Sequence, residues 1–120
     1  MKTPLLLLVP LSLVLTACGG SWHTGDFTVM SNRNISLTGV NLDKASTQDR
    51  VIGVHAVTKI FGMGGEPIMK VALEDALTKS SSDLLIDTSM YRSYWSFLGI
   101  VGQDKIEIKG TPVKTRGAAQ

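Results

Sequence analysis

The residues able to do chemistry in this chain are few and widely spaced. Its only cysteine is Cys18, its only histidines are His23 and His55, and Asp83 and Asp87 stand four apart in one β-prone run. A zinc site needs three or four ligands. Two histidines do not supply them, so each reads as a satisfied core or surface residue, and neither a metal nor a cofactor is expected. Paired carboxylates do acid/base work only when a cleft brings them together. Asp83 or Asp87 with His55 would be the set for a small hydrolase, and capping of strand ends is the simpler role. No Ser-His-Asp set can be argued, since His55 has no motif around it. The glycines of Gly62-Met63-Gly64-Gly65 precede a helical segment, so Gly62, Gly64 and Gly65 could offer backbone N–H groups to an anion. The run lacks the Lys-Ser/Thr ending of a P-loop and the order of a dinucleotide site, and a tight strand-to-helix turn accounts for it as well.

The strongest candidate is the aromatic stretch Tyr91-Arg92-Ser93-Tyr94-Trp95-Ser96-Phe97. As a strand it puts Tyr91, Ser93, Trp95 and Phe97 on one face and Arg92, Tyr94 and Ser96 on the other. Tyr, Trp and Arg are enriched in interface hot spots, which makes Arg92, Tyr94 and Trp95 a candidate patch for a partner or a membrane. The alternative is that Trp95 and Phe97 are core and only Arg92 and Tyr94 show.

These groups must be held by a small set of elements. Arg50 to Phe61 is the clearest strand, rich in Val, Ile and Thr and apolar on both faces, as in a central strand covered on two sides. Pro67 stands where a first helical position would be. Met69, Ala72, Leu73, Ala76 and Leu77 then recur at helical spacing as a buried stripe, with Lys70, Glu74, Thr78 and Lys79 toward water. Asp75 and Lys79 form a favourable i,i+4 pair, and Ser80-Ser81-Ser82 ends the helix. Asp83 to Met90 is the next strand. The aromatic segment, a turn at 101–104 and a strand at 105–109 read as a hairpin. Upstream, 27–30 and the region of Ile35 and Leu37 read as short strands joined by turn residues 31–34, and 41–49 as a loop. The class is α+β, one small antiparallel or mixed sheet with one main helix packed on it. The alternative order pairs 50–61 in parallel with 83–90 through a helical crossover.

The start of the chain has a different character. Lys2 precedes an apolar run from Leu5 to Leu15, broken only by Pro10 and Ser12, and small residues lead into Leu15-Thr16-Ala17-Cys18. The run is too short to span a bilayer, which takes roughly 20 residues, and fits a signal peptide. This arrangement resembles bacterial lipoprotein precursors. The resemblance implies cleavage between Ala17 and Cys18, a diacylglycerol on the Cys18 sulfur and acylation of the new amino group. One acyl chain binds a membrane marginally, whereas two or more anchor stably. Gly19, in place of an aspartate after the cysteine, implies the periplasmic face of the outer membrane in a source with two membranes. An ordinary signal peptide with an incidental Cys18 is the alternative.

Four regions follow: a signal peptide at 1–17, a lipidated cysteine and flexible tether at 18–25, one α+β domain at 26–113, and a frayed tail at 114–120. Without residues 1–17 the net charge is near +1. That balance, without clustered Lys and Arg, argues against a nucleic-acid surface. The mature part is similar to small uncharacterised lipoproteins of the TRL-like kind, through Val51-Ile52-Gly53-Val54, Ala72 to Leu77, Asp83-Leu84-Leu85-Ile86-Asp87 and Ile108-Lys109-Gly110. That similarity implies architecture only. The expected function is a non-enzymatic, membrane-anchored envelope lipoprotein that binds another envelope protein or serves as an assembly accessory. A small hydrolase and a small-ligand or anion-binding domain are the alternatives. Oligomeric state has no signal in the sequence.

Overall fold

The computed structural model describes residues 17–38, 40 and 49–115. Residues 1–16 of the expected signal peptide, 41–48 of the expected loop and 116–120 of the tail lie outside the described residues. The elements are β1 (Ala17–Met30), β2 (Val51–Ile60), α1 (Met69–Ser80), β3 (Leu84–Phe97) and β4 (Val101–Val113). They form one sheet in the order β1-β3-β4-β2, with every neighbouring pair antiparallel. A four-stranded antiparallel sheet with one helix packed on it is thus the α+β architecture, with strand predominating.

β1 corrects the expected tether. Residues 18–25 are not a flexible spacer: Ala17 to His23 pair with Phe97 to Tyr91, and Gly25 to Met30 continue along β3 to Leu85. The glycines read as flexible in isolation, but β3 has a long edge whose N–H and C=O groups need partners. Gly19 suits the role by being small, since a Cβ there would lie 3.0 Å from that of Trp95. Ile35 and Leu37 form no strand. Instead Ile35 and Val40 pack with Val29 and Ile86 around buried Leu84 and Val113, covering one end of the sheet.

β2 is an edge strand, not a central one, and only one of its faces is covered. Its other face leaves Ile52 and Ile60 exposed. The helix lies so close to β2 that a Cβ on Gly53 would sit 2.0 Å from the Ala72 carbonyl oxygen. Only glycine permits that approach. The same helix protects the strand's edge. Val54 N–H donates to Asp75 Oδ2 at 2.9 Å, and Lys79 Nζ donates to the same carboxylate at 2.6 Å. Lys79 first and Val54 second hold the Asp75 carboxyl below its ordinary value. The expected Asp75–Lys79 pair therefore also ties helix to sheet.

β2 and β3 run parallel, as the crossover alternative required, but they do not touch. β4 lies between them and pairs with both. The β3–β4 turn falls at 98–100, ahead of the expected 101–104, which belongs to β4. Pro67 is buried but precedes the helix, whose N-cap is Ile68 in extended geometry. Ala72, Leu73, Ala76 and Leu77 pack with Met30, Leu85, Ile106 and Ile108 as the main core, while Met69 stays exposed.

Candidate functional site

The register divides the aromatic stretch as its alternation predicts, and so separates the three residues of the expected patch. Arg92 and Tyr94 stand opposite Ile106 and Asp104, on the helix side of the sheet. Trp95 stands opposite Gln103, on the open side. Arg92 is committed internally: its Nε donates to Asp104 Oδ1 at 3.0 Å and its NH2 to Asp104 Oδ2 at 2.6 Å. Asp104 is buried, and Lys59 Nζ also approaches it at 3.5 Å. Arg92 foremost, with Lys59 in support, holds the Asp104 carboxyl below its ordinary value against the desolvation that would raise it. This is a structural clamp. Trp95 and Phe97, by contrast, are 47% and 42% exposed, so they are not core residues.

The other candidates are dispersed. His55 Nδ1 accepts the Ile68 N–H at 2.8 Å, which ties β2 to the segment leading into the helix. Asp83 takes the Thr115 N–H and hydroxyl on Oδ2 and Arg33 on Oδ1, clamping both flanking segments to the start of β3. Asp83 N–H bonds Val113 O, whereas His55 faces Ile106. Seven residues of β4, about 23 Å at about 3.3 Å per residue, separate their levels. Asp87 is exposed at a bulge in β3, where it meets Arg50, and β4 lies between it and β2. The hydrolase set is not assembled.

The glycine run begins as a turn on the end of β2. Ile60 and Met63 exchange two backbone hydrogen bonds of 2.9 Å, closing a two-residue turn on Phe61 and Gly62. Gly64 then lies back against Thr58 and Lys59. Gly62 and Gly64 therefore serve a tight turn folded back on the end of β2. Among the described residues there is no group of three or more His, Cys, Asp and Glu that could hold a metal. His23 Nε2 lies 2.9 Å from Asp26 Oδ1, and its ring packs edge-on against Tyr91 at 5.3 Å.

What the fold does assemble is an apolar end. Cys18 is exposed and lies opposite Ser96, at the start of β1. With Gly19, Trp95, Ser96, Phe97 and Val101 it lines an open groove of ≈ 420 Å³. The turn at Leu98-Gly99 and the turn at Phe61-Gly62 adjoin here, joined by a 2.7 Å bond from Phe61 N–H to Ile100 O. Phe61 is 67% exposed and Met63 73%. Sequence reasoning located Trp95 but missed these turn residues. Their signal was an apolar residue before glycine in each of two tight turns. No described helix is long and apolar enough to cross a membrane.

Comparison with family models, with curated proteins and with solved structures returned no match.

Proposed function

We propose that this chain is a lipid-anchored protein of the bacterial envelope, held through Cys18, without enzymatic activity, and serving to bind or help assemble another envelope component. The observation that carries the reading is the single cysteine closing Leu15-Thr16-Ala17-Cys18 after an apolar run of signal-peptide length. Its support in the fold is that Cys18, the second residue of β1, is exposed and accessible to modification. The non-enzymatic part is supported by the use of His55, Asp83 and Arg92 as structural ties.

The Arg92, Tyr94 and Trp95 set does not act as one patch in this reading, because Arg92 is taken up by Asp104 and only Trp95 stands on the open side. Metabolic labelling with a fatty acid tests the anchor. The wild-type chain is expected to take label and remain with membranes, and Cys18→Ser to lose the label and accumulate as precursor. Labelling of Cys18→Ser at the wild-type level would sink the proposal.

A further inference from the structure

The geometry points to a bilayer-docking tip: we propose that the Phe61-Gly62 and Leu98-Gly99 turns, with Trp95 and Phe97 behind them, insert into the interfacial layer of the membrane. The inference rests on the lipid-anchor reading of Cys18. It adds that protein side chains, as well as acyl chains, fix how the domain stands on the surface.

Three observations carry it. The first is charge. Residues 17–22, 60–65 and 93–103, which meet at this end, contain no Asp, Glu, Lys, Arg or His. The nearest cation, Lys59, is turned inward to Asp104 at 3.5 Å.

The second is the backbone of the two turns. Phe61 and Gly62 have φ of 50° and 74°, and Leu98 and Gly99 have 55° and 69°. Two successive positive φ values mark the primed hairpin turn, whose first central position favours Asn, Asp or Gly. A bulky apolar residue there is a conformational outlier. Both turns carry one; Phe61 is 67% exposed and Leu98 37%, and neither belongs to the buried core. Neither conformation nor packing accounts for Phe61 and Leu98; an apolar medium around the tip does.

The third is position. Ala17 and Cys18 lie opposite Phe97 and Ser96, one strand away from the Leu98-Gly99 turn. Acyl chains on Cys18 would leave the domain at the same end of the sheet as the exposed apolar side chains. That placement selects a lipid surface as the occupant. A protein partner would need a complementary cavity for two projecting turns, whereas a bilayer interface accepts them and favours Trp at headgroup depth. Each large apolar side chain fully buried there is worth about tenfold or more in partition.

The test uses the lipidated chain carrying Trp22→Phe, which leaves Trp95 as its only tryptophan, in phosphatidylethanolamine–phosphatidylglycerol vesicles doped with lipids brominated at known depths. Trp95 fluorescence is expected to be quenched, most strongly by the shallowest bromines. Adding Phe61→Asn and Leu98→Asn should lower the docked fraction at least about tenfold. The melting temperature should hold or rise, because Asn tolerates positive φ. Unquenched Trp95 in vesicle-bound, lipidated chain would overturn the tip while leaving the anchor intact, as would quenching unchanged by the two Asn substitutions. Protection of Trp95 only when native membrane proteins are present would also overturn it, in favour of a protein partner. Mass spectrometry showing no lipid on Cys18 would remove the anchor and the tip together.

Discussion

Asp104 shows how a single side chain can be both buried and necessary. It sits in β4 between Lys59 and Arg92, and its two oxygens receive two guanidinium hydrogen bonds. Charge-assisted, bidentate geometry of this kind is the stronger sort of ion pair. Removing one partner leaves the other poorly solvated. Asp104→Asn is expected to cost about 2–3 kcal/mol at pH 7, read as a shift in urea midpoint. Because the native carboxyl is held below its ordinary value, its contribution is complete above the unfolded value of about 4. It is lost as pH falls through the lower native value. Thermal melts from pH 7 to pH 2 should therefore show an acid limb in the wild type that is shallower in Asp104→Asn; parallel limbs would refute this. Glu107 behaves similarly in direction: burial would raise its carboxyl, but Lys109 and Lys105 together bring it below the ordinary range.

At Gly53 the backbone of α1 comes directly against β2. Gly53→Ala places a methyl where Ala72 O and Ala76 N already are, so the helix must lift away. A loss of at least about 3 kcal/mol is expected, at the upper end of overpacking costs. Gly20→Ala, with no neighbour closer than 4.0 Å, serves as the control and should differ little. Equal midpoints for the two variants would show that the helix has room to adjust. The elements themselves were largely legible. The helix announced itself through Ala72, Leu73, Ala76 and Leu77, β2 through its β-branched run, and the face split of 91–97 through alternation. β1 was not, because Gly19, Gly20 and Gly25 carry no local strand preference and pair only because β3 offers an edge. Nor was the edge position of β2, since Ile52, Val54 and Ile60 look like core from sequence alone. The functional end was half legible: Trp95 stood out, but Phe61 and Leu98 gain meaning only when two distant turns adjoin.

At the scale of the molecule, the two ends of the sheet differ. One is covered by Ile35 and Val40 and by the Asp83 clamp to Arg33 and Thr115. The other is uncharged, apolar and open, with β1 running to it as structured chain. Hydrogen–deuterium exchange distinguishes a strand from a spacer: amides of residues 18–25 are expected to alternate between protected and unprotected, as suits an edge strand. Uniformly fast exchange there would show that the pairing with β3 is not maintained in solution. The strand order carries one more consequence, for the life of the chain before it folds. β4 is last in sequence yet sits inside the sheet, and both β2 and β3 depend on it. A chain emerging from its N-terminus cannot complete this sheet until its final strand is out. If it is exported, it travels as an open polypeptide, and Cys18 can be reached by modifying enzymes before β1 ever closes on β3.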